Sequence, residues 1–267
     1  MPAETGVAER ALDGLVVLVS GGTQGVGAGV ARAAVRAGAH VVVSGRRPDV
    51  GEAFAAELRG LGDAEVVFVR SDVADVASAQ ASVAATVERF GRIDGLVNAA
   101  GRTDRGTLLD TTPELFDAHV AVNLRAPFFL MQAAVADMVR RGEPGSIVNV
   151  ITMSAHGGQP YLAPYAAAKA GLVGLTKNAA HAHRFDRVRI NGINIGWTET
   201  PGEDAIQREF HGAGDDWLER AGARLPMGQL GQVDDMARLV VLLLSPLSGA
   251  VTGSVVDWDQ TVPGAYD

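Results

Sequence analysis

The chain has no cysteine in its 267 residues. That excludes disulfides, iron–sulfur clusters and thiolate zinc sites, and it fits a reducing cytoplasm. Lysine is nearly absent as well, with Lys169 and Lys177 the only two. Basic residues number 23 against 31 acidic ones, and the net charge of −8 leaves no electrostatic footprint for nucleic acid. The densest apolar run, 239–244, is far shorter than the ~20 residues a membrane span needs. The polar start carries Glu4, Glu9 and Asp13 and lacks the apolar stretch of a secretory signal. With 47% hydrophobic and 20% charged residues, the chain is expected to form one α/β domain over 1–267, placed in the cytoplasm.

Against so little lysine, the stretch Tyr165-Ala-Ala-Ala-Lys169 stands out. Residues four apart on a helix share a face, so this phenol and ammonium can point at one place. A free phenol titrates near pH ~10, and a nearby cation is expected to lower that value. Any helix can show such a pair on its solvated surface; the neighbourhood gives this one its weight. The hydroxyl of Thr152 lies thirteen positions before Tyr165, with Ser154 as a second candidate hydroxyl.

The apolar run 15–19 reads as a strand buried on both faces. A glycine-rich turn follows, Ser20-Gly-Gly-Thr-Gln-Gly-Val-Gly27, then a helical stretch to about residue 37. Strand, glycine turn and helix can present backbone N–H groups to a phosphate; the bland alternative is that Gly21, Gly25 and Gly27 only permit close packing. A second strand, 40–44, ends in Gly45-Arg46-Arg47. An acidic residue near this point would bind the ribose hydroxyl of NAD, whereas arginine accommodates the 2′-phosphate of NADP. Glycine in the acidic slot and two guanidiniums after it favour NADP, with NAD the alternative.

Further helices are predicted over 50–61, 77–90 and 234–244, and strands over 64–69, 93–97, 145–151, 187–195 and 254–257. Thr112-Pro113-Glu114 opens one long helical stretch through Asn123 to about 140, and another helix reaches about 185. The polar, irregular segment 202–224 looks like a lid, bounded broadly by 197–225. Repeated strand–helix units predict a Rossmann-type, doubly wound parallel sheet of about seven strands in three α/β/α layers. Ligands then bind outside the carboxyl ends of the strands, where every motif quoted falls. His181 and His183, two apart on a helix, point in different directions and predict no metal site. Asp104, Arg105 and Asp110 read as solvated loop residues.

Over nearly its whole length the chain resembles the short-chain dehydrogenase/reductase family. Ser20-Gly21-x-x-x-Gly25-x-Gly27 is similar to its T-G-x-x-x-G-x-G coenzyme loop, including Thr23, Gln24 and Val26. Asp72-Val73 resembles the pair that contacts adenine, and Asn98-Ala99-Ala100-Gly101 the N-A-G type stabiliser of sheet and cofactor. Asn123, Thr152, Tyr165 and Lys169 stand where the family has its catalytic asparagine, serine, tyrosine and lysine. The resemblance implies hydride transfer between NADP(H) and an alcohol or ketone, with Tyr165 as acid/base and Lys169 on the nicotinamide ribose. Arg46 and Arg47 are implied on the 2′-phosphate, and Gly196, Thr198 and Thr200 near the carboxamide. It also implies a homo-oligomer, tetramer or dimer, assembled through the two long helices.

Three departures separate the chain from the family pattern. Threonine replaces the usual serine at 152, Ile195-Gly196 replaces P-G, and Asp257-Trp-Asp-Gln260 replaces D-G-G. His156, Gln159, Tyr161 and Trp197 flank the expected pocket and are candidate substrate contacts, with surface or packing roles as the plain alternative. A sugar, polyol or other small carbonyl compound is the expected substrate. A regulator that binds cofactor without chemistry is the alternative from another class.

Overall fold

The computed structural model describes residues 10–264. The first strand, β1 (Val16–Ser20), is buried at all its positions, as a strand covered by helices on both faces must be. In chain order there follow α1 (Gly25–Arg36), β2 (His40–Gly45), α2 (Pro48–Arg59), β3 (Val66–Arg70), α3 (Val76–Phe90) and β4 (Gly95–Asn98). Next come α4 (Pro113–Val120), a π-helical turn (Ala121–Arg125), α5 (Ala126–Arg141), β5 (Gly145–Val150) and α6 (Ala163–Ala182). The last part holds β6 (Val188–Ile195), β7 (Thr198–Glu199), α7 (Pro201–His211), α8 (Trp217–Gly222), β8 (Gly231–Gln232), α9 (Val233–Leu244) and β9 (Val255–Trp258).

Seven strands form one parallel sheet in the order β3-β2-β1-β4-β5-β6-β9, and β7 pairs with β8 apart from it. Side chains alternate between faces along each strand. Val17, Val19, Val41 and Val43 pack on one side with Ala34, Phe54 and Val240, from α1, α2 and α9. Leu18, Val42, Leu96 and Ile147 face the other side with Val83, Leu130 and Met138, from α3 and α5. Strand order reverses between β1 and β4, which opens the crevice where such sheets bind ligands.

The long helix expected from 112 to 140 is interrupted. Pro127 has no N–H to offer the carbonyl of Asn123, so the ladder shifts to a π turn over Ala121–Arg125. The expected irregular segment 202–224 is largely helical, in α7 and α8. Its polar composition hid α7 because no residue of that helix is buried. Thr200 caps α7 by accepting from Glu203 N at 3.0 Å, with Pro201 in its first turn.

At the end of the sheet away from the crevice, two buried carboxylates share one guanidinium. Asp94 accepts from the backbone N–H of Val16 at 2.9 Å and from Arg92, and Arg141 reaches it at 3.3 Å. Arg141 also donates to Asp137 at 2.9 Å and to the Ile93 carbonyl at 2.7 Å, tying α5 to β4. Burial pushes the Asp137 carboxyl up, but bonds from Arg141, Arg140 and the Ile93 amide outweigh it and hold the group below its ordinary value. Arg141→Ala would remove the guanidinium the two carboxylates share while Arg92 and Arg140 stay in place, so the variant is expected to lose about 1.5–3 kcal/mol in a urea melt at neutral pH. A depressed folded-state value gives stability above the unfolded value and loses it in acid. The gap between variant and wild type should therefore narrow below about pH 4.

Candidate active site

The glycine turn after β1 adopts shapes that side chains would obstruct. Gly21 has φ +72°, and a Cβ there would lie 2.6 Å from the Ala100 backbone. A Cβ on Gly27 would lie 2.2 Å from the Gly21 carbonyl. The turn therefore nests against the residues after β4, across the crevice between the two strands. At the N-terminus of α1 the Gln24 side chain makes no cap and the first turn has no acid, leaving orphan N–H groups facing outward. Instead Gln24 accepts from Arg47 at 2.7 Å, fastening the turn after β2 to the glycine loop. Arg46 is exposed beside it. A Cβ on Gly45 would lie 2.9 Å from Thr23 Oγ1, so the Thr23 side chain crowds the slot that would carry an acid.

Buried Ser20 Oγ, Ser44 Oγ and Asn98 Oδ1, all at the carboxyl ends of their strands, have no protein partner among the described residues. Such atoms call for a ligand or water. Together with the glycine cradle and the open helix N-terminus, they fit a phosphate-bearing dinucleotide. Asn98 Nδ2 donates to Asn149 Oδ1 at 2.7 Å, and Asn149 donates to Thr176 at 2.9 Å, so this asparagine pins β4 to β5 and α6. Asp72 serves its own turn, accepting from Ala74 N at 3.1 Å, with Val73 half-buried beside it.

Tyr165 and Lys169 lie on the buried stripe of α6 with Leu172 and Thr176. The Lys169 ammonium is 5.9 Å from the Tyr165 ring centre and donates to the Val150 carbonyl at 2.8 Å. Burial pulls Lys169 down to about 8. It also pushes Tyr165 up to about 12, opposed by the adjacent Thr152 hydroxyl and reinforced by the Glu203 carboxylate. The lowered phenol value expected from the nearby cation is thus corrected: desolvation of the phenolate outweighs the charge. Thr152, buried at the end of β5, also accepts from Ser154 N at 3.2 Å, and Ser154 in turn donates to Gln159.

Asn123 is fully buried in the π turn. Its Oδ1 accepts from Arg102 N at 3.0 Å and its Nδ2 donates to Arg102 O at 2.9 Å, clamping the loop after β4. A residue that sequence reasoning missed completes this clamp. His119 Nδ1 lies 3.2 Å from Asn123 Nδ2, and its Nε2 lies 3.1 Å from the Asp104 carbonyl. Its ring meets Tyr165 edge-on at 6.2 Å, and burial holds its pKa below the ordinary value, so the imidazole is neutral. The four-residue spacing to Asn123 on one helix was the available signal.

The other candidates divide. Gly196 passes under Asp259, where a Cβ would lie 1.9 Å from Oδ1, and Thr198 donates to the Gly196 carbonyl at 3.0 Å. Thr200 stands near the glycine turn, its methyl 3.9 Å from a Cβ on Gly25. His156 is drawn toward the sheet edge, 3.0 Å from Asp257 and 3.2 Å from Asn194. Trp197 Nε1 donates to Glu203 at 2.7 Å. Arg105, read as solvated, is packed instead: its guanidinium lies 5.4 Å from both the Tyr161 and Phe210 ring centres.

Comparison with known proteins agrees with this arrangement. A family model described as enoyl-(acyl carrier protein) reductase matches residues 21–260. The chain is 34% identical to an L-rhamnose 1-dehydrogenase (NAD(P)(+)) of Sphingomonas sp. (strain SKA58), covering 92% of this chain and 95% of that one. It is 34% identical to an NADP-dependent (R)-specific alcohol dehydrogenase of Lentilactobacillus kefiri, covering 94% and 98%. Among solved structures it superposes on an actinorhodin polyketide ketoreductase variant with NADPH at a TM-score of 0.88, with 31% identity over 94% and 98% of the two chains. Fold, identity and coverage coincide, and the chain belongs to the short-chain dehydrogenase/reductase family.

Proposed function

We propose that this protein is an NADP(H)-dependent oxidoreductase interconverting a secondary alcohol and a ketone on a sugar, polyol or other small carbonyl compound. The observation that carries this reading is the meeting of buried Tyr165, Lys169 and Thr152 at the same strand ends as the glycine cradle. When bound, the nicotinamide supplies or accepts the hydride. The backbone of the glycine loop would hold the diphosphate, Asp72 and Val73 the adenine, and Lys169 the ribose hydroxyls. Gly196, Thr198 and Thr200 would receive the carboxamide. NADP is favoured over NAD because Arg46 is exposed beside the loop and Gly45, crowded by the Thr23 side chain, stands where an acid would bind the ribose hydroxyl. The relatives named above support this class: one is an L-rhamnose 1-dehydrogenase, the other an (R)-specific alcohol dehydrogenase.

Tyr165 gives a proton to the developing alkoxide or takes it from the alcohol. Thr152, adjacent to the phenol, orients the substrate oxygen with the same hydroxyl a serine would offer. Its extra methyl and stiff χ1 narrow the approach to the carbonyl. Lys169, with its pKa near 8, can lose and regain a proton close to working pH. Asn123 holds the loop after β4, and its carbonyl would bind a relay water beside Lys169. Segment 197–225 would act as the lid. Assembly into a homo-oligomer is supported by Phe116 and Phe128, large apolar side chains each 44% exposed along α4 and α5.

Three outcomes test this. Tyr165→Phe is expected to keep NADPH binding, read by fluorescence, while kcat falls by about 10²–10⁴-fold. Arg46→Ala should raise KM for NADPH and leave NADH unchanged; an unaltered coenzyme preference would remove Arg46 from that role. Oxidation needs the phenolate, and a phenol held near 12 yields it only as pH rises. Initial oxidation rates should therefore climb on the alkaline side, while reduction, which uses the neutral phenol, stays level.

A further inference from the structure

Helix α7 crosses from one side of the crevice to the other. Its N-cap Thr200 stands beside Gly25 of the glycine turn. At its far end Phe210 packs against Arg105, and the His211 ring lies 6.0 Å from Tyr161, in the loop leading to α6. Glu203, Gln207 and Phe210 follow at helical spacing along one face between these two ends.

Glu203 is placed unusually for its sequence position. Thr200-x-x-Glu203 is a capping-box pattern, in which the glutamate side chain would return to the N-cap amide. Only half of the box forms. Thr200 accepts from Glu203 N, but the carboxylate turns to Trp197 Nε1 and Gln207 Nε2, each 2.7 Å from Oε1. Two donors on one oxygen fix the carboxylate plane, and Oε2 accepts no bond among the described residues. The charge is close enough to disfavour ionisation of Tyr165. After β5, Thr152, Ser154 and Gln159 form a short hydrogen-bonded chain, Thr152 Oγ1 donating to Ser154 Oγ at 3.3 Å and Ser154 donating to Gln159.

We propose that Glu203 is the substrate-selecting group of the site, its free carboxylate oxygen accepting hydrogen bonds from hydroxyls next to the reacting carbon of a neutral polyol or sugar. This rests on the reading of Tyr165 as the acid/base. A fixed anionic acceptor rewards a substrate that brings hydroxyl donors and repels one that brings a carboxylate. The groups facing the Tyr165 phenol or ring are Thr152 after β5, His119 from α4, Lys169 on its own helix and Glu203 from α7. His119 is held neutral by burial, so Glu203 is the anion whose removal acts on the phenol.

The test uses the full chain with NADP⁺ and two kinds of substrate: L-rhamnose, D-sorbitol and glycerol as polyols, and cyclohexanol as the single-hydroxyl reference. Glu203→Gln keeps an oxygen for Trp197 and loses the charge. It is expected to lower kcat/KM for the best polyol about 10- to 100-fold, mainly through KM, the range of one bond to a charged group. Cyclohexanol should change little, and the alkaline rise in oxidation rate should move to lower pH because the phenolate is no longer opposed. Equal losses on both kinds of substrate, no loss on either, or wild-type turnover of cyclohexanol without any polyol would each overturn the role of Glu203 and leave Tyr165 untouched. Tyr165→Phe turning over cyclohexanol at the wild-type rate, or a wild type inert on all four, would overturn both readings.

Discussion

A single buried ammonium organises the site. Lys169 sits inside the protein, where an unpaired charge is costly and desolvation pulls its pKa to about 8. It is made tolerable by the Val150 carbonyl, 2.8 Å away at the carboxyl end of β5. That bond sets the position of α6 against the sheet. Tyr165 lies one turn before Lys169 and Thr152 lies two residues after Val150, so phenol and hydroxyl come together without further adjustment. The same seam continues inward through Thr176, Asn149 and Asn98, which carry the contact to the residues beside the glycine turn. Polar groups inside a core must be partnered, and here the partners run in a line from one half of the crevice to the other.

Burial governs the protonation states as well. Sequence spacing alone suggests a phenol made acidic by a neighbouring cation. The structure reverses that expectation, because both groups leave water together and each then resists its charged form. Tyr165 rests as a neutral phenol and Lys169 lies near the point of losing its proton. A nearby negative charge on α7 adds to the burial that keeps the phenol neutral.

Much of the fold was legible in the sequence. Continuous apolar runs such as 15–19 and 40–44 can only be strands covered on both faces, and the glycine turn announces the first crossover. Helical spacing put Tyr165 and Lys169 on one face, and the family resemblance pointed to Asn123 and Thr152. Other features depend on contacts that spacing does not encode. The break at Ala121–Arg125 follows from one proline acting on a carbonyl four residues earlier, inside a pattern that otherwise reads as continuous helix. His119 looks like any helix residue until Asn123 and the Asp104 carbonyl are brought to it. Helix α7 has no fully buried residue and few apolar ones, so its polar composition reads as irregular chain. Arg105 gains its surroundings from Tyr161 and Phe210, both distant in the chain, and the Glu203 carboxylate turns to the indole of Trp197.

The short ladder between β7 and β8 has a consequence for how such a protein can change. Thr198 pairs with Gly231 and Glu199 with Gln232, and Gly231 N donates to the Trp197 carbonyl at 2.9 Å. The chain leaves the main sheet after β6 and returns to α9 through this two-residue clasp, so everything between residues 199 and 231 hangs from a closed base. Lengthening a loop whose ends are already held costs little, roughly 0.6 kcal/mol per doubling. The turn between α7 and α8 can accept insertions or deletions while the strands beneath keep their register. Novelty in what the protein binds can accumulate there, leaving the buried seam under it unaltered.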